Sequence, residues 1–106
     1  MDDSDDHALA ARIAAEAGAM LVDLRARRGL ADGRALGQEG DRLSNARIVG
    51  ALHDARPDDA VRSEEQLDRP GRGGPAERRV WVVDPLDGTR EYGEGRADFA
   101  VHVALW

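Results

Sequence analysis

Residues 80–89 read VWVVDPLDGT, an apolar run that passes directly into turn-forming residues with two aspartates. Four consecutive apolar residues with polar neighbours predict a buried strand over Val80–Val83. Asp84 and Asp87 follow at the point where this strand leaves the core, and two carboxylates there are costly unless a cation neutralises them. The stretch therefore predicts a strand that ends in a candidate cation site.

The segment after this strand combines oxygen ligands with backbone donors. The proline after Asp84 biases that residue toward an extended conformation, and we expect the following turn to bring Asp87 back beside it. The Leu86 carbonyl would point the same way, Gly88 lets backbone N–H groups approach a ligand, and Thr89 adds a hydroxyl. Hard oxygen ligands beside N–H donors are the groups that Mg²⁺ and a phosphate group require.

The same residue types also have a simpler interpretation. Asp, Pro and Gly are common turn formers, so composition alone favours a plain turn between two strands. A metal site needs carboxylates from elsewhere. The candidates are Asp41, near a predicted helix start, and Glu64-Glu65, which follow a short strand candidate at Ala60–Ser63. Taken singly, each of these is more often a helix cap or a solvated surface residue.

The rest of the chain predicts two helices and a second long strand. Apolar residues at three- and four-residue steps predict a helix over Asp5–Arg28. Leu30–Gly40 contains three glycines and no periodicity, which indicates a loop. A second helix is expected from near Asp41 to just before Pro57. Alternating apolar residues predict a strand over Phe99–Trp106.

Four conspicuous side chains receive structural interpretations. We expect Trp81 and Phe99 to lie in the core, and the sequence leaves Tyr92 open between the core and the wall of the site. His102, on the second strand, is more often a packed or exposed histidine than a metal ligand.

The composition excludes several classes of protein. A formal net charge of −6 argues against binding to a nucleic-acid polymer and is compatible with carboxylates clustered for divalent cations. The absence of cysteine excludes disulfides, thiolate zinc sites and cysteine nucleophiles. We find neither a secretory signal nor an apolar run of membrane-spanning length, so a cytoplasmic protein without a membrane partner is expected.

Taken in order along the chain, these segments resemble the lithium-sensitive, magnesium-dependent phosphatase superfamily, which includes inositol monophosphatases and 3′(2′),5′-bisphosphate nucleotidases. The matching segments are Gly40-Asp41, Ser63-Glu64-Glu65, residues 81–89 and Asp98–Val101. The resemblance implies an α/β fold of the layered sugar-phosphatase type, with two N-terminal helices packed on a mostly antiparallel sheet. Members of this superfamily are well over twice as long, so residues 1–106 would form the N-terminal metal-binding portion of such a domain.

The resemblance also implies a role for each candidate residue. Glu64 and Asp84 would bind one Mg²⁺ together with the Leu86 carbonyl. Asp84 would bridge to a second Mg²⁺ that Asp87 also holds, and Glu65 would support these ligands. A complete site would hold two or three Mg²⁺ ions, with a further aspartate supplied by the second half of the family's domain.

The remaining roles concern the water and the phosphate. By resemblance, Asp41 and Thr89 would orient and deprotonate the attacking water. The N–H groups of Gly88 and Thr89 would hold the phosphate of a small phosphorylated substrate. A homodimer is a further partner that the resemblance leaves open.

Residues Arg90-Glu91-Tyr92 resemble the bisphosphate nucleotidase branch. That branch implies removal of the 3′-phosphate from 3′-phosphoadenosine 5′-phosphate, or from its sulfated relative, in sulfate assimilation. Two alternatives stay open. One is hydrolysis of inositol 1-phosphate, and the other is a catalytically incomplete fragment that binds metal or dimerises.

Overall fold

The computed structural model describes residues 3–63 and 79–106, with side chains from residue 5 onward. The described residues form three helices and three strands. In chain order they are α1 (Asp3–Arg28), α2 (Gly33–Ala55), β1 (Ala60–Ser63), β2 (Val80–Asp87), α3 (Thr89–Gly93) and β3 (Ala100–Leu105). No described helix is both long and apolar enough to cross a membrane.

The strands form one mixed sheet in the order β1-β2-β3. β1 pairs with β2 in parallel, and β2 pairs with β3 antiparallel. On β2, Trp81 and Val83 are buried, whereas Val82 between them is 43% exposed, so the helices cover one face of the sheet. The α/β fold with two N-terminal helices on a sheet is confirmed, and the expected antiparallel pairing holds for one of the two strand pairs.

The predicted apolar face of α1 is confirmed by its burial. One side of the helix packs on α2 and on β3. Its buried apolar residues follow helical spacing and are Leu9, Ile13, Ala17, Leu21 and Leu24. They divide between two core clusters, the first around the fully buried Trp81 and the second around the fully buried Tyr92. Tyr92 is therefore a core residue.

The second helix was predicted to start near Asp41, and this prediction is wrong. α2 begins at Gly33, where the side chain of Asp32 caps the helix by accepting a hydrogen bond from the Ala35 N–H at 3.1 Å. The glycines that suggested a loop instead permit close packing. A Cβ on Gly37 would lie 2.8 Å from Thr89 Cγ2, so only glycine fits this contact without a shift.

The two long strands differ from their predictions at the ends. β2 continues through Asp84 to Asp87 instead of ending at Val83, and the chain turns only at Gly88, whose φ is +86°. β3 spans Ala100–Leu105, one residue inside the predicted strand at each end. The turn that was expected directly after Asp84 is replaced by an irregularity in the pairing of β2 with β3.

Arg25 links α1 to α3 and to the segment that follows it. Its Nη1 donates hydrogen bonds to the carbonyl oxygens of Tyr92, at 3.2 Å, and Arg96, at 2.9 Å. Its guanidinium carbon lies 5.1 Å from the ring centroid of Tyr92 and 5.0 Å from that of Phe99. Phe99 is partly buried and packs edge-on against Tyr92, which agrees with its predicted core position.

A network of ion pairs joins the two long helices to the start of β2. Asp6 Oδ1 accepts hydrogen bonds from Arg56 Nε at 3.2 Å and from Arg79 Nη2 at 2.9 Å. Asp59 Oδ2 accepts from Arg79 Nε at 3.2 Å and from Trp81 Nε1 at 2.9 Å. The hydrogen bond from Arg79, followed by that from Arg56, lowers the pKa of Asp6 below 3.8.

Close packing at the start of α2 leads to a first prediction. A Cβ on Gly33 would overlap with the Gly93 carbonyl oxygen, whereas one on Gly50 would meet nothing within 4 Å. We expect Gly33→Ala to destabilise the fold by about 1–3 kcal/mol, because backbone must move to make room. Gly50→Ala should stabilise it by about 1 kcal/mol through helix propensity. Urea unfolding of both variants measures the two effects. Equal unfolding midpoints for Gly33→Ala and Gly50→Ala would contradict the close contact between Gly33 and Gly93.

The lowered pKa of Asp6 leads to a second prediction. Its charged form stabilises the folded state above pH 3.8, and this contribution is lost as the pH falls through the lower pKa of the folded state. Asp6→Asn should therefore be less stable than the wild type at neutral pH, with a difference that shrinks in acid. Urea unfolding across this range tests it. Asp23→Asn, which removes an exposed pair with Arg27, is the control and should have little effect at either pH.

Candidate metal centre

The irregularity in β2 places two aspartates on the same face of the sheet. Asp84 pairs with His102 and Asp87 pairs with Ala100, so two residues of β2 lie opposite the single residue Val101. In a regular strand, residues three apart point to opposite faces, and one extra residue reverses this relation. The bulge therefore turns Asp87 to the side that Asp84 already faces.

These two aspartates converge with a histidine. Asp84, Asp87 and His102 each offer one ligand atom, and the three atoms lie within 4.8 Å of one another. Asp84 Oδ1 is buried and has no hydrogen-bond partner among the described residues. A buried carboxylate oxygen without a partner is costly unless a cation compensates it. The donor set therefore fits a bound divalent cation.

His102 belongs to this cluster, although the sequence pointed to an ordinary strand histidine. Its Nε2 lies 3.1 Å from Asp87 Oδ2, and its side chain is 57% exposed. The sequence shows only that His102 lies two residues after Ala100, and therefore on the same face of β3 as that residue. Its partner on β2 depends on a register that the sequence does not give.

Hydrogen bonds hold the carbonyl groups of the bulge. The buried Ser44 Oγ donates to the Pro85 carbonyl oxygen at 2.7 Å. Thr89 Oγ1 donates to the Leu86 carbonyl oxygen at 3.1 Å, so the predicted carbonyl ligand and the predicted hydroxyl are direct neighbours. Ser44 was not singled out in the sequence, because a serine inside an apolar helical pattern has no distinguishing signal.

α2 carries Asp41 along the face that contacts this segment. Gly37 packs against Thr89, and Ser44 is bonded to Pro85. Asp41 is four residues after Gly37 and three before Ser44, so it lies on the same side of α2 as both. The helix thus brings Asp41 toward Thr89, although it lies outside the cluster formed by Asp84, Asp87 and His102.

Three other residues were predicted to take part in the site. Gly88 has a left-handed conformation, and a Cβ at this position would lie 2.7 Å from the Asp98 carbonyl oxygen, so the turn requires glycine. Glu64-Glu65 lie outside the described residues, and their predicted roles as ligand and support remain predictions.

Tyr92 takes no part in the candidate site. Its hydroxyl donates to the Leu21 carbonyl oxygen inside the core. Burial raises the pKa of this phenol above its usual value of 10.0, so it stays protonated at neutral pH. The side chain stabilises the packing of α3 against α1 and does not line the metal centre.

Comparison with known proteins identifies the family. A profile of the inositol monophosphatase family matches residues 9–106. A 3′-phosphoadenosine 5′-phosphate phosphatase from Mycobacterium leprae is 50% identical over 102 residues, which cover 95% of this chain and 37% of the relative. A relative of the same name from Mycobacterium bovis is 48% identical over 92 residues, covering 86% of this chain and 34% of the relative. Both agree with the predicted nucleotidase branch.

The solved structures agree with the fold. The crystal structure of extragenic suppressor protein suhB from Bartonella henselae matches with a TM-score of 0.78 at 29% identity, over 95% of this chain and 38% of that one. The chain thus spans little more than a third of the length of the proteins it matches. A family profile that covers nearly the whole sequence, together with two relatives near 50% identity, shows that this chain belongs to the inositol monophosphatase family.

Proposed function

We propose that this chain forms the metal-binding portion of a Mg²⁺-dependent phosphomonoester hydrolase. The observation that carries the proposal is the convergence of Asp84, Asp87 and His102, with one buried Asp84 oxygen that lacks a partner among the described residues. Two carboxylates supply the oxygen ligands that Mg²⁺ prefers. Bound there, Mg²⁺ would neutralise charge and lower the pKa of a water molecule.

The charge of the neighbouring groove supports a role for metal ions. An open groove beside the cluster is lined by three carboxylates, those of Asp87, Glu91 and Asp98, and among the described residues only the last of these is paired with an arginine, Arg96. An anionic phosphate ester would be repelled by these groups in the absence of a cation, because like charges at short range cost free energy. Cations held at the bulge would remove this repulsion and leave a groove in which a phosphate ester can bind.

The proposed substrate is 3′-phosphoadenosine 5′-phosphate or its sulfated relative, with hydrolysis of the 3′-phosphate in sulfate assimilation. The printed names of the two mycobacterial relatives support this choice, as does the Arg90-Glu91-Tyr92 segment. Hydrolysis breaks the bond between phosphorus and the ribose 3′ oxygen. Water supplies the new oxygen on phosphorus, and the released 3′ oxygen gains a proton.

Each candidate site residue has a defined part in this proposal. Asp84, Asp87 and the Leu86 carbonyl would hold the cations, and Glu64 would join them with support from Glu65. Asp41 and Thr89 would orient and deprotonate the attacking water. Their placement on facing surfaces of α2 and α3 supports this pairing, because Gly37, one turn before Asp41, packs directly on Thr89. The backbone N–H groups of Gly88 and Thr89 would hold the phosphate.

Two alternatives have their own supporting observations. Hydrolysis of inositol 1-phosphate is supported by the description of the family whose profile matches. A catalytically incomplete fragment that binds metal or dimerises is supported by the share of the relatives that this chain spans, 37% for the first of them. The proposal includes a small phosphorylated molecule as substrate and a cytoplasmic location, and it leaves open whether the chain forms a homodimer.

A third prediction concerns the metal site itself. Asp84→Asn should weaken Mg²⁺ binding at least about tenfold, because it removes the charge of the most buried ligand in the cluster. Isothermal titration of the 106-residue chain measures this. Asp54→Asn, which alters an exposed carboxylate near the end of α2, is the matched control and should leave the affinity unchanged. An equal loss of Mg²⁺ affinity in both variants would indicate a general effect of the net charge and would contradict a specific site at Asp84.

A fourth prediction concerns the reaction. We expect phosphate release from 3′-phosphoadenosine 5′-phosphate to exceed release from inositol 1-phosphate when both are assayed in parallel with Mg²⁺. Turnover by the 106-residue chain should be weak, and Asp87→Asn should reduce it about tenfold or more, because a metal ligand is lost. A preference for the inositol ester would reverse the order of the two substrates. Mg²⁺ binding without turnover of either ester would favour the incomplete-fragment alternative.

A further inference from the structure

We propose that His102 is a positioning residue of the metal centre, which donates its Nε2–H to Asp87 Oδ2 and fixes the orientation of that carboxylate. The inference rests on the proposed function, since it assumes that Asp87 holds a cation. His102 does not touch the reacting atoms in this role. It acts through Asp87, and it is the one side chain of the described cluster that β3 supplies.

The strand pairing explains how His102 reaches Asp87. His102 is paired with Asp84 across the two strands, and Asp87 is paired with Ala100, two residues before His102 on the same face of β3. The small side chain of Ala100 leaves space above it. His102 can therefore lean along the face toward Asp87, where its Nε2 lies 3.1 Å from Oδ2.

The chemistry of magnesium favours a hydrogen-bonding role over direct ligation. Mg²⁺ prefers oxygen ligands in a strict octahedral geometry, and imidazole nitrogen is a better ligand for transition metals. Carboxylates that bind metals are themselves commonly hydrogen-bonded, which fixes their orientation before the ion arrives. A hydrogen bond to Oδ2 leaves Asp87 Oδ1 available to a cation.

The solvent exposure of His102 and Asp87 argues against a role of this pair in the stability of the fold. The side chains of His102 and Asp87 are 57% and 62% exposed, and a pair in that environment contributes little to the stability of the fold. The measurable effect of His102 should therefore lie in cation affinity.

The test compares two replacements of His102 in the 106-residue chain. His102→Ala removes the donor, and His102→Gln retains an amide N–H that can reach Asp87 Oδ2. Mn²⁺ is the probe, because its free-ion electron paramagnetic resonance signal falls on binding, and Mg²⁺ competition reports the affinity for magnesium. We expect His102→Ala to lower the affinity for both ions about tenfold, whereas the affinities of His102→Gln should stay within about twofold of those of the wild type. Urea unfolding midpoints should be the same for all three proteins.

Two controls isolate the interaction. His7→Ala, which removes an exposed histidine of α1, should leave the affinity unchanged. In an Asp87→Asn background, His102→Ala should cause no further loss, since its effect passes through the carboxylate. Imidazole nitrogen chemical shifts of the wild type should show a proton on Nε2 both before and after Mg²⁺ is added.

The outcomes distinguish this inference from the proposed function. A wild-type chain that binds neither Mn²⁺ nor Mg²⁺ would overturn the proposed function and this inference with it. Binding by the wild type with equal affinity in His102→Ala would overturn the inference alone. A loss in His102→Gln as large as that in His102→Ala, with loss of the Nε2 proton on Mg²⁺ binding, would show that the imidazole is itself a ligand and would overturn the positioning role.

Discussion

The candidate metal centre depends on one extra residue in β2. Pro85 and Leu86 together lie opposite Val101, and this bulge turns Asp84 and Asp87 to the same face of the sheet. Without it, Asp87 would face the helices, where an unpaired carboxylate is costly. The buried hydroxyl of Ser44 holds the Pro85 carbonyl, so the helix layer maintains the irregularity on which the cation site depends.

Close packing of α2 is the second requirement. Its glycines let the helix pack closely on the turn and on α3, because Gly37 contacts Thr89 and Gly33 contacts Gly93. Asp41, one turn after Gly37, lies on the same face of this helix. The layered fold and the site are therefore linked through residues that have no side chain of their own.

Much of the fold and part of the site followed from the sequence. The apolar run before Asp84 predicted β2, and the aspartate spacing predicted a cation site that the structure supports by bringing Asp84 and Asp87 together. The start of α2 was wrong, because glycines that break isolated helices here serve tertiary packing. His102 was missed because its partner depends on the register between β2 and β3, which is a non-local property. The role of Glu64 stays a prediction.

The contacts of Arg25 have a consequence for the order in which the molecule is assembled. This residue lies in the first helix, and the carbonyl groups that it binds are 67 and 71 residues further along the chain. During synthesis, α1 leaves the ribosome before the segment that Arg25 binds has been made. The contacts of Arg25 with this segment therefore form only after residues 92–96 have been synthesised, and the entropic cost of closing so long a loop is incurred at that step.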